Sequence, residues 1–122
     1  MSLAPARDFE VSLDGFEGPL DLLLELARAQ KVDLGKISIV ALADQYLAYL
    51  EDAKAARLAV AAEYLVMAAW LAYLKSQLLL PPAERDAPDA EGSAEALALR
   101  LARLEAIRTA AAWLEARPRL GR

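Results

Sequence analysis

The chain has 122 residues, 14 basic against 18 acidic, an apolar fraction of 57% and neither Cys nor His. That length allows one modest domain with room for an extra docking element, and so apolar a chain folds. Lacking thiols and imidazoles, it has no disulfide, thiol nucleophile, imidazole base or ordinary zinc site, and no cofactor or metal is expected.

The longest apolar stretch, residues 58–74, contains Glu63 and falls short of the roughly 20 residues a membrane span requires. The first seven residues lack the apolar core of a signal peptide, so a cytoplasmic protein without membrane contact is expected. A net charge of −4 argues against a dedicated phosphate-backbone binder. Composition favours a protein that binds other proteins.

In chain order, Phe9, Val11 and Leu13 alternate with Asp8, Glu10 and Ser12, the period of a half-buried strand. No second strand follows, so this arm either lies irregularly on helices or pairs with another chain. Gly18-Pro19 opens a first helix with Pro at its preferred position, Asp21 near the positive end and Arg28 and Lys31 near the other. Leu20, Leu23, Leu24 and Ala27 line one face of it. Residues 32–36, with Asp33 and Gly35, read as a turn. Ser38 caps a second helix over about residues 39–53, with Ile39, Leu42, Tyr46, Leu50 and Ala53 at spacings of three and four.

The third predicted helix, residues 58–80, stops at Pro81-Pro82. Val60, Tyr64, Met67, Leu71, Leu74 and Leu78 follow the four-three spacing of a coiled-coil seam. Two further rows are also apolar: Ala61, Leu65, Ala68, Ala72 and Leu79, then Ala62, Val66, Ala69, Tyr73 and Leu80. A helix apolar on every side must be surrounded, and two short helices cannot enclose it. Some of it is expected to stay open for a partner, with Lys75 either snorkelling near the helix end or serving as a charge partner.

Residues 81–95 are acidic and rich in Pro and Ala, the composition of a flexible linker. Ser93 then caps a last helix over about residues 94–116, with Leu97, Leu101, Leu104, Ile107, Ala111 and Leu114 in a stripe. Residues 96–122 carry six Arg against Glu105 and Glu115, which suits docking on an acidic surface or folding back on the linker.

Three motifs have simpler structural explanations. Gly15-Phe16-Glu17-Gly18 matches the G-x-x-G backbone clamp of nucleic-acid domains, but Glu17 has the wrong sign to face phosphate and Gly18 is explained by the helix start. Asp14, Glu17, Asp21 and Glu25 offer carboxylates, yet without Ca-loop spacing they read as a solvated face. Trp70 and Tyr73 read as core or interface anchors, since no basic groove flanks them.

Phe16-Glu17-Gly18-Pro19-Leu20-Asp21-Leu22-Leu23-Leu24, Gln45-Tyr46-Leu47 with Tyr49-Leu50, and Leu65-Val66-Met67-Ala68-Ala69 with Leu71, Lys75-Ser76 and Leu78-Leu79-Leu80-Pro81 together resemble segregation and condensation protein A (ScpA), the bacterial kleisin family. The match covers about residues 9–82. The resemblance implies a non-enzymatic bridging subunit of the SMC–ScpA–ScpB condensin-like complex in chromosome condensation and segregation, nucleoid-associated and touching DNA only through the complex. The elements read above make an all-α fold, a small helical bundle with a long central apolar helix, a short extended arm at residues 1–18 and a C-terminal helix after a linker at 81–95; the resemblance makes residues 19–80 a helical SMC-neck-binding domain and 96–122 the start of a ScpB-binding middle region.

On this reading Val60, Tyr64, Met67, Leu71, Leu74, Lys75 and Leu78 meet the head-proximal coiled-coil neck of SMC. Leu97, Leu101, Leu104, Ile107, Ala111 and Leu114 meet a ScpB dimer. The family's C-terminal winged helix is not expected in a chain of this length. The alternatives are a self-assembling helical scaffold that pairs the same seam with its own copy, and direct nucleic-acid binding through Arg100, Arg103, Arg108, Arg117 and Arg119.

Overall fold

The computed structural model describes residue 13, residues 15–86 and residues 89–117. Among them the fold is all-α: α1 (Pro19–Arg28), α2 (Ile39–Ala55), α3 (Ala62–Leu78) and α4 (Ala90–Ala116), with 3-10 turns at Leu34–Lys36 and Pro82–Glu84. The strand expected around Phe9 and Val11, and its pairing with another chain, lie outside the described residues. Leu13 itself packs partly against the core.

Gly18 precedes α1 with φ 159° and ψ −178°, a region essentially confined to glycine, and Pro19 then starts the helix. A Cβ at Gly18 would meet nothing closer than a Glu63 oxygen at 3.9 Å, so the backbone rather than space requires glycine. Asp21 reaches back to accept from the Glu17 amide at 2.9 Å, tying the residue before the cap to the first turn. Leu22, Leu23, Leu24 and Ala27 are fully buried.

Gln30 holds the following loop by accepting from the Ser38 amide at 3.0 Å and donating to the Ser38 carbonyl at 3.2 Å. Ser38 caps α2 as its sequence implies, its hydroxyl accepting from the Ala41 amide at 3.0 Å. Ile39, Leu42, Tyr46, Leu50 and Ala53 are all buried. The Tyr46 hydroxyl donates to the Tyr64 carbonyl at 2.9 Å and so ties α2 to the first turn of α3.

The end of α2 corrects the expected length of α3. Arg57 takes φ 63°, the Leu58 amide donates to the Ala53 carbonyl at 2.9 Å and the Arg57 amide donates to the Lys54 carbonyl at 2.9 Å. This is a Schellman closure with Arg where Gly is usual. Residues 58–61 are therefore spent reversing the chain, and α3 has 17 residues, as many as α2. The longest helix is α4, with 27.

α4 also begins earlier than expected. Its first residue is Ala90, with Asp89 at the cap position, and Ser93 lies inside the helix with its amide donating to the Asp89 carbonyl at 2.9 Å. Of the expected linker, residues 82–84 form a 3-10 turn and residues 90–95 belong to α4. Arg85, its side chain only 7% exposed, donates to the Leu80 carbonyl at 3.1 Å and the Leu78 carbonyl at 3.5 Å, closing the end of α3. The Asp86 amide donates to Gln77 Oε1 at 2.8 Å. From this elbow α4 runs back over the Leu34–Lys36 turn, α3 and α1.

Candidate functional site

α3 has two apolar sides, and the fold treats them differently. Tyr64, Leu71 and Leu74 are buried, while Val60, Met67 and Leu78 pack partly against the same core. The expected partner seam is thus largely occupied by the chain's own helices. Lys75 likewise finds an internal partner, Asp44 of α2 at 2.5 Å. Such a half-exposed pair contributes about 0–1 kcal/mol.

The opposite side is open. Leu65, Val66, Trp70 and Tyr73 are exposed, Val66 to 69%, with Ala62, Ala69 and Ala72 between them. Both secondary apolar rows of the sequence contribute to this face, and the heptad spacing pointed to the other one. Trp70 and Val66 form a wall of a groove of about 490 Å³ whose floor is Met67 and whose far wall is Ser93, Ala96, Leu97 and Arg100 of α4. Glu63, Met67 and Arg100 also line a second groove of about 450 Å³ that continues along Leu104 to Pro19 and Leu20 of α1. An apolar face beside a grooved, charged margin is suited to a helix.

α4 divides midway. Leu97 and Leu101 are buried and Leu104 is half-buried, but Ile107, Ala111 and Leu114 are exposed, as is Trp113. The division falls at two ionic contacts with α1. Arg28 Nε donates to Glu105 at 3.1 Å, and Arg108 pairs with Asp21 and, at 3.2 Å, with Glu17. Burial pushes the Asp21 carboxyl up, but the hydrogen bonds from Arg108 and the Glu17 amide and the charges of Arg108 and Arg28 outweigh it and hold it below the usual carboxylate range. Asp21 is therefore a fixed anion in a structural contact, a poor general acid. Of the arginines considered for nucleic acid, Arg108 is engaged with α1, Arg117 lies 5.1 Å over the Trp113 ring, and Arg119 is outside the described residues.

No described helix is long and apolar enough to cross a membrane. The family model for segregation and condensation protein ScpA matches residues 26–118. The segregation and condensation protein A of Xylella fastidiosa (strain Temecula1) is 43% identical over 119 residues, covering 97% of this chain and 39% of its own length. That of Coxiella burnetii is 42% identical over 119 residues, covering 97% of this chain and 44% of its own length. That of Lactiplantibacillus plantarum is 49% identical over 79 residues, covering 65% of this chain and 31% of its own. The chain thus spans less than half the length of these curated relatives, and it belongs to the segregation and condensation protein ScpA family.

Proposed function

We propose that this chain acts without catalysis as a kleisin subunit of a bacterial SMC–ScpA–ScpB complex in chromosome condensation and segregation, binding SMC through α3 and ScpB through α4. On this reading it works in the cytoplasm at the nucleoid and meets DNA only through the complex. The observation that carries the proposal is the open face Leu65–Val66–Trp70–Tyr73 on a helix of an ScpA-family chain. Aromatic anchors beside aliphatic side chains are what a two-helix neck buries at the centre of an interface.

The seam residues Val60, Tyr64, Met67, Leu71, Leu74 and Leu78 then act mainly from inside, fixing the angle at which the open face is presented. Met67 reaches the groove and touches the neck directly. On α4, Ile107, Ala111 and Leu114 are the accessible part of the ScpB stripe. The domain limits proposed here are a neck-binding unit at residues 19–80 and a ScpB-binding region beginning within α4.

Calorimetry with an isolated SMC head carrying its coiled-coil neck tests the assignment. Val66→Glu and Tyr73→Glu are expected to weaken binding at least tenfold while the fold is retained; unchanged affinity in both would reject the open face as the docking site. The same face could instead pair with a second copy of the chain. Light scattering that shows a monomer at every concentration would dismiss that scaffold reading.

A further inference from the structure

We propose that α4 is a self-engaged helix that must lift off α1 before a partner can take its whole apolar stripe. The proposal rests on the reading above that α4 docks on ScpB. Leu97, Leu101, Leu104, Ile107, Ala111 and Leu114 form one row on one helix. Its first half is turned into the chain's own core and its second half faces solvent. A single helix cannot offer the same side chains to two neighbours. A partner that reads the full row therefore competes with the bundle for Leu97 and Leu101.

The construction of the contact suits release. Leu97 and Leu101 are the only large side chains of α4 that are fully buried among the described residues, and the remainder of its packed face is alanine with half-buried Leu104. The polar fastening is ionic, with Arg28–Glu105 and the Glu17 end of Arg108 in solvent and the Asp21 carboxylate under Arg108 buried. Beyond Arg108 every described residue of α4 is exposed, so a partner can seat on residues 109–116 first and peel toward the amino end. Ahead of that end, Arg85 is held by the Leu80 carbonyl and the Asp86 amide by Gln77 of α3, so the chain up to residue 86 stays fixed to α3. Lifting α4 bares more of Ile37 and Ile39, which line a groove with Ala94 and Ala98, and more of Met67, which lines another with Leu97.

The test uses variants on α1 that lie outside the α4 stripe, with a purified ScpB dimer as probe. Arg28→Gln and the pair Arg28→Gln with Asp21→Asn loosen the fastening; the single variant leaves the Glu17–Asp21 helix start intact if the pair fails to fold. Affinity for ScpB is expected to tighten about twofold to threefold in the single variant, the scale of a half-exposed ion pair, and about fivefold to tenfold in the pair, where a buried carboxylate is also neutralised. Amide hydrogen exchange of the wild-type complex should show residues 34–39 losing protection as α4 gains it. Binding with residues 34–39 still protected, or with affinities equal in wild type and variants, would overturn the proposal and leave the ScpB reading standing. No binding in any form would overturn both.

Discussion

The two sides of α3 are nearly equal in apolar content and opposite in fate. Tyr64, Leu71 and Leu74 meet the core, whereas Val66, Trp70 and Tyr73 meet solvent. What separates them is the supply of neighbours. α1, α2 and the first half of α4 cover one side of a cylinder and leave the other. Hydrophobicity thus marks α3 as a helix needing cover on all sides, while the number of available helices decides which side the chain covers for itself.

The contrast is broken most severely from the inside. Leu71→Ala should cost about 2–5 kcal/mol, the range for a truncated core leucine, and chemical denaturation will show whether the domain survives it. Tyr46→Phe should cost about 1 kcal/mol by removing the hydroxyl that Tyr64 accepts from.

Burial, with a smaller contribution from Tyr64, raises the Tyr46 phenol well above its ordinary value of 10. The folded state therefore keeps the proton that the unfolded chain sheds. The stability that Tyr46 contributes in this way is full below about pH 10 and falls above it, a fall that should be shallower in Tyr46→Phe.

At the other end of the scale, Asp21 is held below its ordinary 3.8, so the stability it lends is present above that value and lost as the pH drops through the lowered one. Asp21→Asn should flatten the acid limb of a stability profile and cost about 1 kcal/mol at neutral pH. Val66→Ser, on the open side, should move stability by no more than about 0.5 kcal/mol. A loss comparable with Leu71→Ala would mean that Val66 is covered by the chain itself.

Signals carried by neighbouring residues are legible in the sequence. The Ser38 cap and the Ile39–Leu42–Tyr46–Leu50–Ala53 spacing of α2 need only neighbouring residues to be read, and both are present. α3 was legible as a helix but not by face: three apolar rows carry no preferred direction, and the coiled-coil spacing favoured the row that tertiary packing consumes. Lys75 was ambiguous for a similar reason, since Asp44 lies on another helix. The sequence points to a later start for α4 because Ser93 has the chemistry of a cap, while residues 85 and 86 are held by bonds to Leu80 and Gln77, outside the helix. Distant residues of that kind leave no periodic trace.

That Arg85 turn carries one mechanical consequence. A run of prolines, alanines and acids ordinarily behaves as slack rope, absorbing any pull applied downstream. Here the guanidinium stitches residue 85 to the Leu78 and Leu80 carbonyls, so residues 81–84 are closed into a loop and a pull on residue 85 reaches the end of α3 directly.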